Sequence, residues 1–400
     1  MRRVPPVVLA LVAALLLATP FAAVAATPAP DDPGNVTAVG LSENTSRILP
    51  LDTQRSNFST PDASVLASIR ADQSAAEWSL SRRALSRRLA AADTDTARER
   101  ILRNATDRAA AAVDALLARE RAARNAYLSG ETTTQQYVAT LGELHARADN
   151  LLQFVGPRTD PAPGSILDNV ALGTTIYDRA LALQARVQPI AGDIAGHAAT
   201  AVRGGTSPRL YVAASPNGFV LSTLSGRTYE RTAYRSDATD DVDTRTIATS
   251  TSGENVNTYY PWAANGDGYL SSGIQVFDGY AYLHRISHQH GTIYAYVDAS
   301  SGLPYFESRE TALSVVATDA GWSNTSANAT LSVAQSYPGG PLRVEASYNG
   351  SGVRVPVFVD GERVGTTNAK GVLWTLAPNG EFTVSTRVND TDLRVEASTS

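Results

Sequence analysis

The sequence predicts a multidomain chain: an all-α bundle or long helical hairpin, then an α+β domain, then an all-β sandwich. Three observations predict it. Apolar residues recur at spacings of three and four between about 59 and 202, the mark of helices with one buried face. From about 208 apolar runs are joined by Gly turns, and from about 322 the pattern is strand and turn alone. The segments so defined are 1–26, 27–58, 59–202, 203–318 and 319–400.

Residues 1–26 read as a signal peptide. Arg2 and Arg3 give a positive amino end, and 7–17 are apolar but shorter than the ~20 residues a membrane span needs. Pro20 then breaks the run before Ala23-Val24-Ala25, a small-x-small cleavage pattern. An uncleaved anchor is the other reading, and the paired arginines also fit twin-arginine export. The rest of the chain is therefore expected outside the cell, secreted or at its surface. Residues 27–58, with Pro28, Pro30 and Pro33 among small polar residues, are expected to be a flexible polar leader.

In the helical block, Ser59-Thr60-Pro61-Asp62 is a capping start. Leu66, Ile69, Gln73, Ala76 and Leu80 then fall on one face, expected to be the buried one. Thr96 to Glu99 forms a capping box before a stripe of Leu102, Ala105, Ala109, Val113 and Leu116. After Ser129-Gly130 a third stripe, Tyr137, Leu141, Leu144, Ala148, Leu151 and Val155, runs to Gly156-Pro157. A fourth apolar segment, 172–187, ends at Pro189. Arg82, Arg83, Arg87 and Arg88 form one basic run, read first as a solvated face whose stems shield the stripe. The second reading is a patch for an anionic surface such as lipid headgroups or acidic glycans.

Strand patterning begins with 210–214 and 219–224 flanking Pro216-Asn217-Gly218, a strong hairpin signal. Residues 280–286 and 292–298 flank His288-Gln289-His290-Gly291, and the polar stretch 236–257 is expected to be a long surface loop. Gly291 through Ile293-Tyr294-Ala295-Tyr296-Val297-Asp298 to Ser301-Gly302-Leu303-Pro304 resembles the hairpin of PepSY-type domains. Further on, 353–359, Asp360-Gly361, Val364-Gly365-Thr366-Thr367, Lys370-Gly371 and Pro378-Asn379-Gly380 resemble transthyretin-like, carboxypeptidase-regulatory sandwiches of immunoglobulin-like architecture. Such modules are accessory, so that resemblance implies no catalysis. The hexapeptide at 342–347 recurs at 393–398 and reads as two strands of the sandwich. Signal, leader, helices, PepSY-like middle and sandwich together resemble an exported protein family of halophilic archaea that supplies no activity to carry over.

Composition narrows the function. With no Cys, thiol chemistry and disulfides are excluded. Lys370 is the only lysine among 34 basic residues, a bias of GC-rich coding sequence. The net charge of −5, two units more negative once Arg2 and Arg3 leave with a signal, argues against nucleic acid as partner. No phosphate loop, dinucleotide fingerprint, nucleophile elbow or paired-His zinc helix occurs. His284, His288 and His290 share strand parity, yet at ~3.3 Å per residue the first two stand ~13 Å apart, too far for one ion without a chain reversal. They read as polar turn residues before a metal site. Asp237, Asp240, Asp241 and Asp243 read as a solvated acidic loop before a calcium site, lacking the spacing of a calcium-binding helix-loop-helix. They could also supply the paired carboxylates of glycoside hydrolysis, although their separation is not fixed by sequence. Tyr259, Tyr260, Trp262 and Tyr269 cover a sheet or offer a sugar-stacking surface.

Eight Asn-x-Ser/Thr triplets are glycan acceptor candidates: Asn35, Asn44, Asn57, Asn104, Asn324, Asn328, Asn349 and Asn389. The expectation is a non-catalytic exported envelope or extracellular protein with a binding or structural role and no cofactor. Its partner would be an envelope protein or glycan, and membrane contact would come only through an uncleaved signal. The alternative is a regulator or inhibitor of an exported protease, acting through the PepSY-like region.

Overall fold

The computed structural model describes residues 48–157, 161–239, 246–261, 263, 269–277, 279–316, 318 and 321–399. The expected signal and most of the leader lie outside the described residues.

Five helices form one layer: α1 (Val65–Ala90), α2 (Asp95–Ser129), α3 (Thr134–Val155), α4 (Thr175–Ala191) and α5 (Asp193–Val202). α3 is their centre, touching the other four. A capping box between Thr133 and Gln136 starts it. Its whole expected stripe, Tyr137 through Val155, is buried. Gly142 lets α5 come close, because a Cβ there would lie 2.7 Å from the carbonyl carbon of Ala198. On α2 the expected stripe also turns inward, after a start at Thr94 rather than Thr96.

α1 departs from expectation twice. Its N-cap is Ser64, whose Oγ accepts from the N–H of Ala67 at 3.3 Å, so residues 59–62 precede the helix. Its inward face is Ala67, Ala71, Ser74, Trp78, Ser81, Leu85 and Leu89, while Leu66, Ile69 and Leu80 are 58%, 58% and 63% exposed. The reason lies in size. Ala71 meets Ala146 of α3 and Ala199 of α5, a contact of small side chains that brings backbones together and leaves the branched residues outside. α4 continues through Pro189, which falls in its last turn, and stops at Ala191.

Beneath the helices lies an eight-stranded antiparallel sheet. Its strands are β1 (Arg55–Ser59), β2 (Leu210–Ser215), β3 (Gly218–Ser225), β4 (Thr228–Arg235), β5 (Tyr269–Phe277), β6 (Ala281–His288), β7 (Gly291–Asp298) and β8 (Pro304–Ala312). The order across the sheet is β1-β2-β3-β4-β8-β7-β6-β5. Both expected hairpins are present: Ser215 faces Gly218, and His288 faces Gly291. One core runs through both layers, joining Leu144, Leu151, Ile190 and Ile194 to Leu210, Val212, Phe219, Leu221 and Phe306. The pattern change near 203 is thus a change of element type within one core.

The opposite face carries α6 (Thr249–Tyr259), where a loop was expected over 236–257. Its sequence is a poor helix former, and Val256, Tyr259 and Tyr260 hold it against Ile286, Ile293 and Val297. The leader expectation fails at its carboxyl end. Ile48 and Leu49 are buried, and Arg55–Ser59 pairs with β2 in register from Arg55↔Ala214 to Ser59↔Leu210. Phe58, packed edge-on against Tyr211 at 5.5 Å, is the apolar anchor that polar composition concealed.

The remaining strands form a two-sheet sandwich. β9 (Trp322–Ser326), β10 (Ala329–Gln335), β11 (Pro341–Tyr348), β12 (Ser351–Gly352) and β15 (Val372–Leu376) make one sheet. β13 (Pro356–Val359), β14 (Glu362–Thr366), β16 (Gly380–Val388) and β17 (Thr391–Thr399) make the other. The repeated hexapeptide contributes one strand to each: Leu342, Val344 and Ala346 on β11, and Leu393, Val395 and Ala397 on β17, all point into the shared core.

Candidate functional site

Most charged groups of the helical layer are engaged in holding it together. Glu143, 3% exposed, receives Arg70 of α1 at 3.2 Å, Arg119 of α2 at 2.9 Å and Arg147 at 3.4 Å. Glu120 takes Arg124 Nε at 2.9 Å and the hydroxyl of Tyr137 at 3.2 Å, and burial raises its carboxyl above the usual range. Arg124 also donates to the carbonyl oxygens of Ser215 and Pro216, fastening the helices to the first hairpin. Across the sheet, Glu307 accepts from Arg231 at 2.8 Å, the hydroxyl of Tyr260 at 2.9 Å and the N–H of Leu49 at 2.9 Å. This carboxylate is what draws the end of the leader onto the sheet.

The basic run differs. Arg82, Arg83, Arg87 and Arg88 make no ion pair among the described residues. Three of them, Arg82, Arg83 and Arg87, line an open groove of about 660 Å³ with Leu80, Ser86, Pro163 and Gly164. The far wall is the loop after α3. Gly164 rests over Arg82 and Ser86, at a φ of 78°, and its N–H donates to Asp168 Oδ2 at 2.8 Å. The carbonyl end of α1 favours Arg87 and Arg88 on electrostatic grounds alone, but not Arg82 and Arg83 one turn earlier. Leu80, 63% exposed, supplies apolar surface at the groove itself. The groove therefore offers guanidinium forks for carboxylate, sulfate or phosphate oxygens beside apolar surface for a ring or chain.

The histidines are not gathered. Nε2 of His284, on β6, lies 2.6 Å from Ser252 Oγ on α6, and both residues are buried. Burial depresses the imidazole to about 4. Nucleophile and base are of the right types, but the pair lies beneath α6 and fastens it to the sheet. His288 and His290 share the hairpin turn with ring centroids 5.9 Å apart. Burial, then Arg309 and His290, bring His288 down to about 3. Among the described residues no three His, Asp or Glu side chains converge as a metal set.

Of the acidic loop, Asp237 is exposed and binds Arg235 at 2.9 Å, whereas Asp240, Asp241 and Asp243 lie outside the described residues. Tyr259 and Tyr260 belong to the core beneath α6, Tyr269 is exposed on β5, and Trp262 lies outside. Among acceptor candidates, Asn35 and Asn44 lie outside, and Asn57, Asn104, Asn324, Asn328, Asn349 and Asn389 are all exposed. Asn104 sits within α2 with its Thr106 buried and bonded to the Leu102 carbonyl. Asn328, Asn349 and Asn389 occupy hairpin tips with φ of 64°, 50° and 43°, and the Asn349 N–H donates to the Asn328 carbonyl at 2.9 Å. Sequence reasoning noticed the arginines but not their groove, because the loop at 163–164 reaches them only through the fold.

A family model described as a domain of unknown function (DUF7096) matches residues 1–207. A second, described as a family of unknown function (DUF7094), matches 210–317, and a third, an archaeal fibronectin-III type-like domain, matches 321–395. No curated protein matches the chain.

Proposed function

We propose, from the premise that the chain belongs to the family described as a domain of unknown function (DUF7096), that it is an exported, non-catalytic envelope protein whose α1 groove binds an acidic glycan. The observation that carries this reading is the set of arginines, Arg82, Arg83 and Arg87, that make no ion pair among the described residues, at a groove on a layer whose other arginines are largely committed to carboxylates. Arginine forks suit the carboxylates or sulfates of such a polymer, and Leu80 and Pro163 suit the C–H faces of its sugar rings. Export rests on the pattern of residues 1–26, and an archaeal origin on the likeness of residues 321–395 to an archaeal fibronectin-III type-like domain. Transthyretin-like and fibronectin-like modules are both accessory sandwiches, which suits a spacer or docking unit. The placement of Ser252, His284, Glu120 and Glu307 in buried clamps supports leaving catalysis out of the reading.

The test is capture from the protein's own cell envelope by the tagged mature chain and by an Arg82→Gln/Arg83→Gln/Arg87→Gln variant. Acidic glycan retained by the first and lost by the second is expected; equal retention would overturn the reading. The PepSY-like resemblance of residues 291–304, β7 and the turn into β8, supports a second reading, an exported-protease regulator, favoured by the exposed edge at β5. Recovery of an exported protease with both forms would support it.

A further inference from the structure

The two ends of the sandwich are unlike. One is docked: between β10 and β11 the carbonyl of Gly339 accepts from Ser222 Oγ at 2.5 Å and from the Tyr229 hydroxyl at 3.2 Å, and Tyr337 packs into one core with Tyr211, Tyr229 and Leu313. The other end carries the hairpin tips of Asn328 and Asn349, joined by the bond from the Asn349 N–H to the Asn328 carbonyl. The Asn389 tip belongs to that same end. At the docked end Gln335 Nε2 donates to the Ser398 carbonyl at 2.6 Å, and further along Asn324, which pairs with Leu331, donates to the Arg394 carbonyl at 2.8 Å. Following β17 from 398 through 394 to 389 therefore follows β10 from 335 through 331 to 328.

We propose that this free end is a glycosylated pole, with N-linked glycan on Asn328, Asn349 and Asn389, while Asn57, Asn104 and Asn324 stay bare. Transfer to a folded chain needs the Asn amide nitrogen and the hydroxyl two residues on, both within reach at the surface. The bare set fails on one or the other. Asn57 Oδ1 accepts from the Phe58 N–H at 2.8 Å and Ser59 is buried; Thr106, two residues after Asn104, is buried with its hydroxyl on the Leu102 carbonyl at 3.0 Å. Asn324 Nδ2, the atom that would take the sugar, is held by Arg394. At the three tips each Asn is exposed in a left-handed turn, its side-chain amide bonds to no described residue, and Thr330, Ser351 and Thr391 are at least partly exposed. Each transfer forms a bond from Asn Nδ2 to C1 of the first sugar and breaks the C1–O bond to a lipid-linked phosphate of the envelope. The phosphate leaves, the amide gives up one proton, and nothing is oxidised.

This inference rests on the export proposed above and stands apart from the anion groove. The test is the intact mass of the full chain purified from the cells that make it, medium, envelope and cell interior taken separately. Asn328→Gln/Asn349→Gln/Asn389→Gln should lose three glycan masses, and Asn57→Gln/Asn104→Gln/Asn324→Gln should lose none. Gln is strained at the left-handed turn positions, so Thr330→Val/Ser351→Ala/Thr391→Val, which keeps Asn at every tip, should give the same loss in a chain of unchanged circular dichroism. Exported chain whose three tips are unmodified, or glycan mass lost from the Asn57, Asn104 and Asn324 variant, would overturn the glycosylated pole and leave export standing. Unmodified chain found only in the cell interior would overturn both.

Discussion

α1 and α3 carry the same signature, apolar residues at spacings of three and four, and meet opposite fates. On α3 the stripe is the centre of the helical layer; on α1 it faces solvent. The difference teaches that periodicity marks a face without saying which face goes inward. α3 presents bulky residues to four helices and a sheet, whereas the first half of α1 meets α3 and α5 through Ala71, and only further on does Trp78 pack on Phe154 of α3. Small residues permit close approach, and the contact closes before the branched residues on the far side can take part.

The sharpest way to break this comparison is truncation of matched leucines. Leu144→Ala on α3 should cost about 2–5 kcal/mol in chemical denaturation. Equal costs at Leu144 and Leu80 would contradict the assigned faces. Next in size is Glu143→Ala, which leaves three arginines around an empty buried position. Their side chains are 36–44% exposed and can turn outward, so about 1–3 kcal/mol is expected from the same measurement.

A pH series of thermal melts should give a smaller, graded effect. Burial lowers His145 on α3, His284 to about 4 and His288 to about 3. The unfolded chain takes up these protons from about pH 6.5 downward while the fold resists them, so stability is full above that value and is lost as pH falls toward 3. His197, raised by its bond to Glu230 at 2.9 Å, works the other way and loses its contribution as pH rises past 6.5. A melting temperature that climbs on acidification from pH 6.5 would contradict the buried, neutral histidines. The smallest effect belongs to α1: Leu80→Ser should leave the denaturation midpoint within about 0.5 kcal/mol of wild type.

Much of the architecture was legible because local chemistry and burial agreed. The stripes of α2 and α3, the Asn217-Gly218 and Gly291 turns, and the repeated hexapeptide each carry a period that the fold uses unchanged. Legibility failed where tertiary partners decide. β1 depends on Phe58 finding Tyr211 and on Glu307 capturing Leu49 across 258 residues of chain, and neither contact has a local signature. α6 is held by Val256 and Tyr259 against the sheet despite a sequence of Thr, Ser, Gly and Asn. At the candidate site the arginines were visible as a run. What the run could not reveal was that no carboxylate among the described residues reaches them and that Pro163 and Gly164 close one side.

Direct titration with polygalacturonate tests the proposed binding of anionic polymer in this groove. The wild-type chain should bind with an affinity that falls as salt rises. Arg82→Gln/Arg83→Gln/Arg87→Gln should weaken binding at least about tenfold, while an Arg98→Gln/Arg100→Gln/Arg121→Gln control on α2 should weaken it little. Equal weakening by the two triple variants, or no binding by wild type at low salt, would contradict it.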